Sequence, residues 1–104
     1  MINSIAITDF QPQATDIIWD VRDAKAYAEG HWQPAQHQAL ESINTELLQG
    51  IASEQTIYVL CGGGTKAGRA AQLIESLDSQ RQVVILTGGT RAAKAAGLPI
   101  VEEA

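Results

Sequence analysis

A glycine-rich turn between a strand and a helix, within residues 57–74, sets the architecture expected for this chain. The segment begins with the apolar run Ile-Tyr-Val-Leu, continues through Cys61 and three consecutive glycines, and ends with the apolar spacing of an amphipathic helix. This order predicts a buried strand, a tight turn and a helix packed on the same sheet. Cys61 is therefore expected at the carboxyl end of a strand, beneath a helix N-terminus.

The rest of the chain repeats the alternation of strands and helices. Predicted strands cover residues 16–21, 56–60 and 82–86, with an edge strand at 5–7, and predicted helices cover 24–29, a segment after Ser42, 67–77 and an alanine-rich segment before Gly97. Asp23 and Thr90 are expected to cap the first and last of these helices. Such alternation predicts an α/β fold with a mostly parallel sheet, in which ligands bind at the carboxyl ends of the strands.

Length and charge limit the classes of partner. The 104 residues suit one domain, residues 1–104, with one modest core. A formal net charge of −5, with seven scattered Lys and Arg residues, argues against a nucleic-acid partner. No apolar stretch has the length of a membrane span, and the N-terminus lacks the features of a signal peptide. We therefore expect a cytoplasmic protein with no membrane partner.

The single cysteine is the strongest candidate for chemistry. It cannot form an internal disulfide, which fits a reducing compartment, and it offers too few ligands for zinc, so we expect neither a metal nor a cofactor. Thiols beneath helix N-termini ionise more readily than ordinary thiols. We therefore predict that Cys61 is a nucleophile. The alternative is a buried structural thiol, since free cysteine often behaves as a small hydrophobe.

The arrangement of these motifs resembles that of the single-domain rhodaneses, a family of sulfurtransferases. The shared elements are an Asp-x-Arg strand end, a Gly-His pair, a loop led by cysteine and a late Gly-Gly turn, which here are Asp20-Val21-Arg22, Gly30-His31, Cys61 to Lys66 and Gly88-Gly89. Their order and spacing extend over nearly the whole chain. The resemblance implies a rhodanese-like three-layer sandwich, in which helices cover both faces of a mostly parallel central sheet.

The same resemblance implies transfer of a sulfane sulfur through a persulfide on Cys61. The donor would be a small anion such as thiosulfate, and the acceptor a thiol, cyanide or a sulfur-carrier protein. The donor would bind to the active-site loop, formed by Gly62, Gly63, Gly64, Thr65, Lys66 and Ala67. Its backbone N–H groups are expected to turn inward around the anion, since glycine accepts positive φ values. The alternative is an ordinary flexible turn.

The resemblance implies roles for four charged or ionisable residues. Lys66 takes the position of a basic residue that closes the loop in this family, and is expected to steer the anionic donor. Asp20 and Arg22 are expected to support the loop through hydrogen bonds and ion pairing. His31 is expected to be structural, because a sulfur nucleophile that ionises readily needs no base.

The chain also departs from the family pattern. Pro34 replaces the second glycine of the usual Gly-His-Ile-x-Gly-Ala, and no tryptophan follows the late Gly-Gly. Gly62 and Gly64 resemble the loop of mercaptopyruvate sulfurtransferases, whereas Lys66 resembles that of the single-domain thiosulfate-using group. The choice between thiosulfate and mercaptopyruvate therefore stays open at this point.

Other functions remain to be compared with sulfur transfer. Cysteine-dependent phosphatases of the cell-cycle type share this architecture, but they carry an arginine at the position of Ala67. A nucleotide P-loop is disfavoured, because its spacing is absent and Ala67 lacks the hydroxyl that binds magnesium. The remaining alternative is a catalytically silent rhodanese-like module that binds proteins or relays sulfur. Retention of Cys61 favours the enzyme.

Overall fold

The computed structural model describes residues 1–103, in which strands alternate with helices. The strands are β1 (Ile2–Ala6), β2 (Ile17–Asp20), β3 (His31–Trp32), β4 (Gln36–His37), β5 (Ile57–Leu60), β6 (Val83–Thr87) and β7 (Ile100–Val101). The α-helices are α1 (Ala24–Glu29), α2 (Thr45–Gln49), α3 (Lys66–Leu77) and α4 (Gly89–Ala95), and short 3-10 helices cover Ile7–Asp9 and Leu40–Ser42. The predicted α/β class is confirmed.

Five strands form a parallel central sheet in the order β1-β6-β5-β2-β4. Strands β3 and β7 form a separate antiparallel pair. In the central sheet Asp20 at the end of β2 is in register with Leu60 at the end of β5. Because parallel strands end at the same edge, the residues after β2 and β5, including Cys61, lie next to each other.

Side chains of β5 alternate between two hydrophobic clusters. Ile57 and Val59 pack into the cluster covered by α2 and α3. Tyr58 and Leu60 face the opposite cluster, which contains Trp32 of β3 and Ala93 of α4. Both faces of the sheet are therefore covered, which explains why its strands read as continuous apolar runs.

Helix α3 lies close to the sheet because its buried face is mostly alanine. Ala67, Ala70, Ala71 and Ile74 are buried, and side chains this small allow a helix to approach its neighbours closely. The helix starts one residue before the predicted segment. The N-terminus of α3 therefore comes directly after the loop that begins at Cys61.

Helix α2 differs from the sequence prediction at its start. It begins at Thr45 and is capped by Asn44, whose side chain accepts a hydrogen bond from the Leu47 backbone N–H at 2.9 Å. Ser42 lies in the preceding 3-10 helix. Asparagine is at least as strong a cap as serine, and here its backbone has the extended conformation that a cap requires.

Helix α4 also begins differently from the prediction. Thr90 was expected to cap it, but Thr90 is buried inside the first turn and its side chain makes no capping hydrogen bond. The residue that precedes the helix is Gly88, which has φ 85°. Because Gly88 and Gly89 both take positive φ, the chain enters the helix before Thr90.

The cap predicted for α1 at Asp23 is confirmed, since its Oδ1 accepts a hydrogen bond from the Ala26 backbone N–H at 2.8 Å.

Candidate active site

The loop after β5 is held in place by the first turn of α4. Cys61 is 5% exposed, and its backbone carbonyl accepts a hydrogen bond from the Thr90 N–H at 2.9 Å. The next carbonyl, that of Gly62, accepts from the Arg91 N–H at 3.2 Å. Two consecutive backbone bonds therefore fix the start of the loop to a helix that lies far away in sequence.

The N–H groups of the loop are left without protein partners. Among residues 1–103, no backbone carbonyl or capping side chain accepts a hydrogen bond from the N–H groups of Gly62 to Ala67. The last of these groups belong to the first turn of α3, where the helix dipole adds positive potential. Beside Cys61 there is thus a row of donors suited to an anion.

Glycine is required where the loop meets the Gly88-Gly89 turn. A Cβ added at Gly89 would lie 2.0 Å from the carbonyl oxygen of Cys61, and φ at this position is +56°. Gly63 has φ +131°, and an added Cβ there would lie 3.3 Å from the Gly88 carbonyl oxygen. At Gly64 an added Cβ would meet nothing within 4 Å. The three loop glycines therefore have different structural roles.

Asp20 and Arg22 form a bidentate ion pair beneath the loop. Arg22 donates from Nε to Asp20 Oδ1 at 2.9 Å and from Nη2 to Oδ2 at 2.7 Å. Nη2 also donates to the carbonyl of Gly30 at 2.8 Å. Asp20 is fully buried, and the Arg22 Cδ lies 3.7 Å from the position of a Cβ added at Gly62. The pair therefore ties the end of β2 to the start of the loop.

The pKa of Arg22 responds to its charged neighbours, which include Cys61. The hydrogen bond to Asp20 raises the pKa of Arg22, and burial opposes this rise. Negative charge on Asp20 and on Cys61 raises the pKa of Arg22 further. An arginine with a raised pKa is cationic at neutral pH. Its guanidinium lies beside the start of the loop, where it is paired with the Asp20 carboxylate.

Each of the two histidines hydrogen-bonds to a backbone carbonyl. His31 is buried, its Nδ1 donates to the Tyr27 carbonyl at 3.0 Å, and its ring stacks on that of Tyr27 with centroids 3.7 Å apart. His37 is exposed, and its Nε2 donates to the Arg22 carbonyl at 2.9 Å. His37 belongs to no sequence motif. Its hydrogen bond goes to a backbone atom, and every residue type supplies the same backbone atoms, so the bond leaves no signal in the sequence.

Two further cations lie near the loop. Lys66 is about one third exposed, and its Nζ is 3.8 Å from Glu41 Oε1. Arg91 lies outside the motifs found in the sequence, yet its Cζ lies 3.8 Å from the position of a Cβ added at Gly63. A usable signal was its place two residues after Gly88-Gly89, on the first turn of a helix that starts at the same edge of the sheet as Cys61.

Neither a metal centre nor a membrane helix is found in the part of the chain that the structure describes. Over residues 1–103, no group of three His, Cys, Asp or Glu side chains is arranged to hold a metal ion. Within the same residues, every helix is too short or too polar to span a bilayer.

Comparison with known proteins identifies the family. The family model described as Rhodanese-like domain matches residues 7–96. No curated protein matches the sequence. Among solved structures, the rhodanese-like domain of a protein from an Anabaena species is 30% identical, with a TM-score of 0.75 over 86% of this chain and 95% of that chain.

Two other structures show the range of the resemblance. The thiosulfate sulfurtransferase from Pseudomonas aeruginosa is 25% identical with a TM-score of 0.77, covering 97% of this chain but 19% of that chain. A rhodanese-related protein from Thermoplasma volcanium has a TM-score of 0.79 over 97% of this chain and 99% of that one, and at 20% identity it shows the fold alone. The sheet order, the cysteine loop and the family match lead to one conclusion: this chain belongs to the rhodanese-like domain family.

Proposed function

We propose that this protein is a sulfurtransferase that moves a sulfane sulfur from a small anionic donor to a nucleophilic acceptor through a persulfide on Cys61. The observation that carries the proposal is the row of unpartnered N–H groups from Gly62 to Ala67 beside the thiol. The ion pair of Asp20 and Arg22 beneath the loop supports it. Thiosulfate is the first donor to test, because it is the substrate in the name of the Pseudomonas aeruginosa structure.

The reaction proceeds in two displacements. The Cys61 thiolate attacks the outer sulfur of thiosulfate, the sulfur–sulfur bond of the donor breaks, and sulfite leaves with the electron pair. The acceptor then attacks the outer sulfur of the persulfide, and Cys61 departs as a thiolate. Negative charge stays near the loop throughout. Loop N–H groups that donate to this charge stabilise each transition state.

The residues around the loop have separate roles in this proposal. Asp20 positions Arg22, and the pair holds the start of the loop against the end of β2. Lys66 sits at the start of α3 and steers the anionic donor, while its Nζ lies 3.8 Å from the exposed carboxylate of Glu41. His31 holds β3 against Tyr27 of α1 and takes no part in proton transfer.

The direct test is the intact mass of the protein after incubation with thiosulfate, and separately with mercaptopyruvate. We expect a gain of one sulfur atom, which cyanide removes, and no gain in the Cys61→Ser variant. The donor that loads the protein identifies the one it uses. If neither donor adds sulfur to the folded wild-type protein, small-molecule sulfur transfer is contradicted, and a binding or relay module is favoured.

The role of His31 is tested by the His31→Ala variant. We expect it to lower the free energy of unfolding by about 1–3 kcal/mol, because it removes a buried ring and leaves the Tyr27 carbonyl without its partner. The rate of sulfur transfer, measured where both proteins are folded, should change by less than about threefold. His37→Ala is the matched control, and its exposed ring should matter less to stability. A large rate loss with normal stability would make His31 catalytic.

A further inference from the structure

Arg91 is held against the cysteine loop by its own backbone. It is the third residue of α4, and its N–H donates to the carbonyl of Gly62 at 3.2 Å. The preceding residue, Thr90, makes the equivalent bond to the carbonyl of Cys61 at 2.9 Å. The side chain of Arg91 therefore starts from a point that is fixed relative to the loop, and none of the roles assigned above uses it.

The side chain of Arg91 lies along the loop. Its Cβ is 3.6 Å and its Cζ 3.8 Å from the position of a Cβ added at Gly63. Both ends of this side chain therefore approach the same loop residue, although Arg91 remains exposed. The N–H of Gly63 is one of those that have no partner among residues 1–103. The guanidinium thus lies beside the row of N–H groups that would receive the donor.

Arg91 has no carboxylate partner in the part of the chain that the structure describes. Arg22 and Lys66, the other two cations described at the loop, are both paired with carboxylates. Glu29 and Glu102 line the same cleft as Arg91, and neither of them forms an ion pair with it. The charge of Arg91 is therefore available to an anion that binds at the loop.

We propose that Arg91 binds the oxyanion end of the sulfur donor and makes the site prefer dianionic donors over monoanionic ones. This inference rests on the proposed sulfur transfer and assigns to α4 a specificity-determining residue. A guanidinium donates two parallel N–H bonds to a pair of oxygens on one anion, which the ammonium group of a lysine cannot do. Lys66 attracts the donor toward the loop, and Arg91 then fixes its orientation.

The same contact acts on the leaving group. When the Cys61 thiolate attacks the outer sulfur of thiosulfate, the sulfur–sulfur bond breaks and sulfite takes its electron pair. Sulfite leaves as a dianion and stays beside Arg91 until it dissociates. Methanethiosulfonate reacts in the same way, with methanesulfinate as the leaving group, but it carries a single negative charge. One positive charge attracts a dianion about twice as strongly as a monoanion at the same distance.

Binding is tested first, without any transfer of sulfur. Thiosulfate is titrated into the Cys61→Ser protein and followed by the NMR chemical shifts of the loop amides. We expect saturable binding that Arg91→Gln weakens about tenfold, which corresponds to the loss of one charge-assisted hydrogen bond. Arg69→Gln is the matched control, because it makes the same charge change at an exposed position of α3. Absence of saturable binding, or an equal loss in both variants, would overturn the inference.

Donor preference is tested by the rate of persulfide formation in the protein that retains Cys61. In Arg91→Gln we expect kcat/KM to fall about tenfold for thiosulfate and about threefold for methanethiosulfonate. Arg91→Lys should keep the preference for thiosulfate because it keeps the charge. It should nevertheless bind thiosulfate about threefold more weakly than the parent, because the paired N–H donors are lost. The melting temperature of both variants should equal that of the parent, since the side chain is exposed.

The outcomes separate this inference from the proposed function. If persulfide forms and the ratio of kcat/KM values for the two donors is the same in Arg91→Gln as in the parent, the role of Arg91 is overturned and the proposed function stands. If the wild-type protein forms no persulfide with either donor, the proposed function is overturned, and the role of Arg91 in sulfur transfer with it.

Discussion

Replacing Gly89 with alanine is expected to destabilise the protein by about 3 kcal/mol or more and to abolish persulfide formation. The new Cβ would lie 2.0 Å from the carbonyl oxygen of Cys61 and 2.9 Å from its carbonyl carbon. These atoms cannot withdraw without breaking the hydrogen bond from the Thr90 N–H. Either the helix moves away from the loop or the loop unwinds, and both outcomes displace the thiol.

Gly97→Ala is the matched control for Gly89→Ala. Gly97 also has positive φ, +78°, but an added Cβ there would meet nothing within 4 Å. Its alanine variant should therefore show only the backbone strain, about 1 kcal/mol. Urea unfolding gives the stability of both variants, and intact mass after thiosulfate gives their persulfide content. Equal losses in the two variants would show that close approach to Cys61 does not constrain position 89.

The second large effect is expected for Arg22→Met, which should lower the free energy of unfolding by about 3–5 kcal/mol at neutral pH. Asp20 is fully buried and depends on Arg22 for both of its carboxylate oxygens. Loss of the guanidinium also leaves the carbonyl of Gly30 without its donor. Most of the penalty comes from the uncompensated charge of Asp20.

Removing both partners should restore much of this stability. In the double variant Asp20→Leu/Arg22→Met no buried charge remains, so its loss should be several kcal/mol smaller than the sum of the two single losses. Arg69→Met, at an exposed position on α3, is the control for the loss of one arginine and should stay within about 0.5 kcal/mol of the parent. Additive losses in urea unfolding would contradict the importance of this ion pair.

Regular elements of the fold were predictable because their signals are local. The apolar run of β5 and the periodicity of α3 were sufficient to place both elements within one residue of their observed starts. Asp23 indicated the start of α1, because the side chain of a capping residue accepts a hydrogen bond from the backbone N–H three residues later. The position of Cys61 at the carboxyl end of a strand followed directly from these boundaries.

The features that the sequence did not predict share a different cause. Threonine is a residue type that often caps helices. The positive φ values at Gly88 and Gly89, however, start α4 before Thr90, so the Thr90 side chain is buried in the first turn. Arg81 is 2% exposed, although as a charged residue between a helix and a strand it gave no sign of burial. Its guanidinium donates to the carbonyls of Gln55 and Ile51, which are 26 and 30 residues away. No local pattern reports such partners.

The sequence by itself determined the class of fold, the place of Cys61 at the end of a strand and the glycine-rich loop that follows. These depend on interactions among residues a few positions apart, so their signals lie within short segments. Tertiary structure alone decided which groups meet at that loop. Strands β5 and β6 lie side by side although α3 separates them in the chain. That adjacency brings Gly89 against the Cys61 carbonyl and Arg91 beside Gly63.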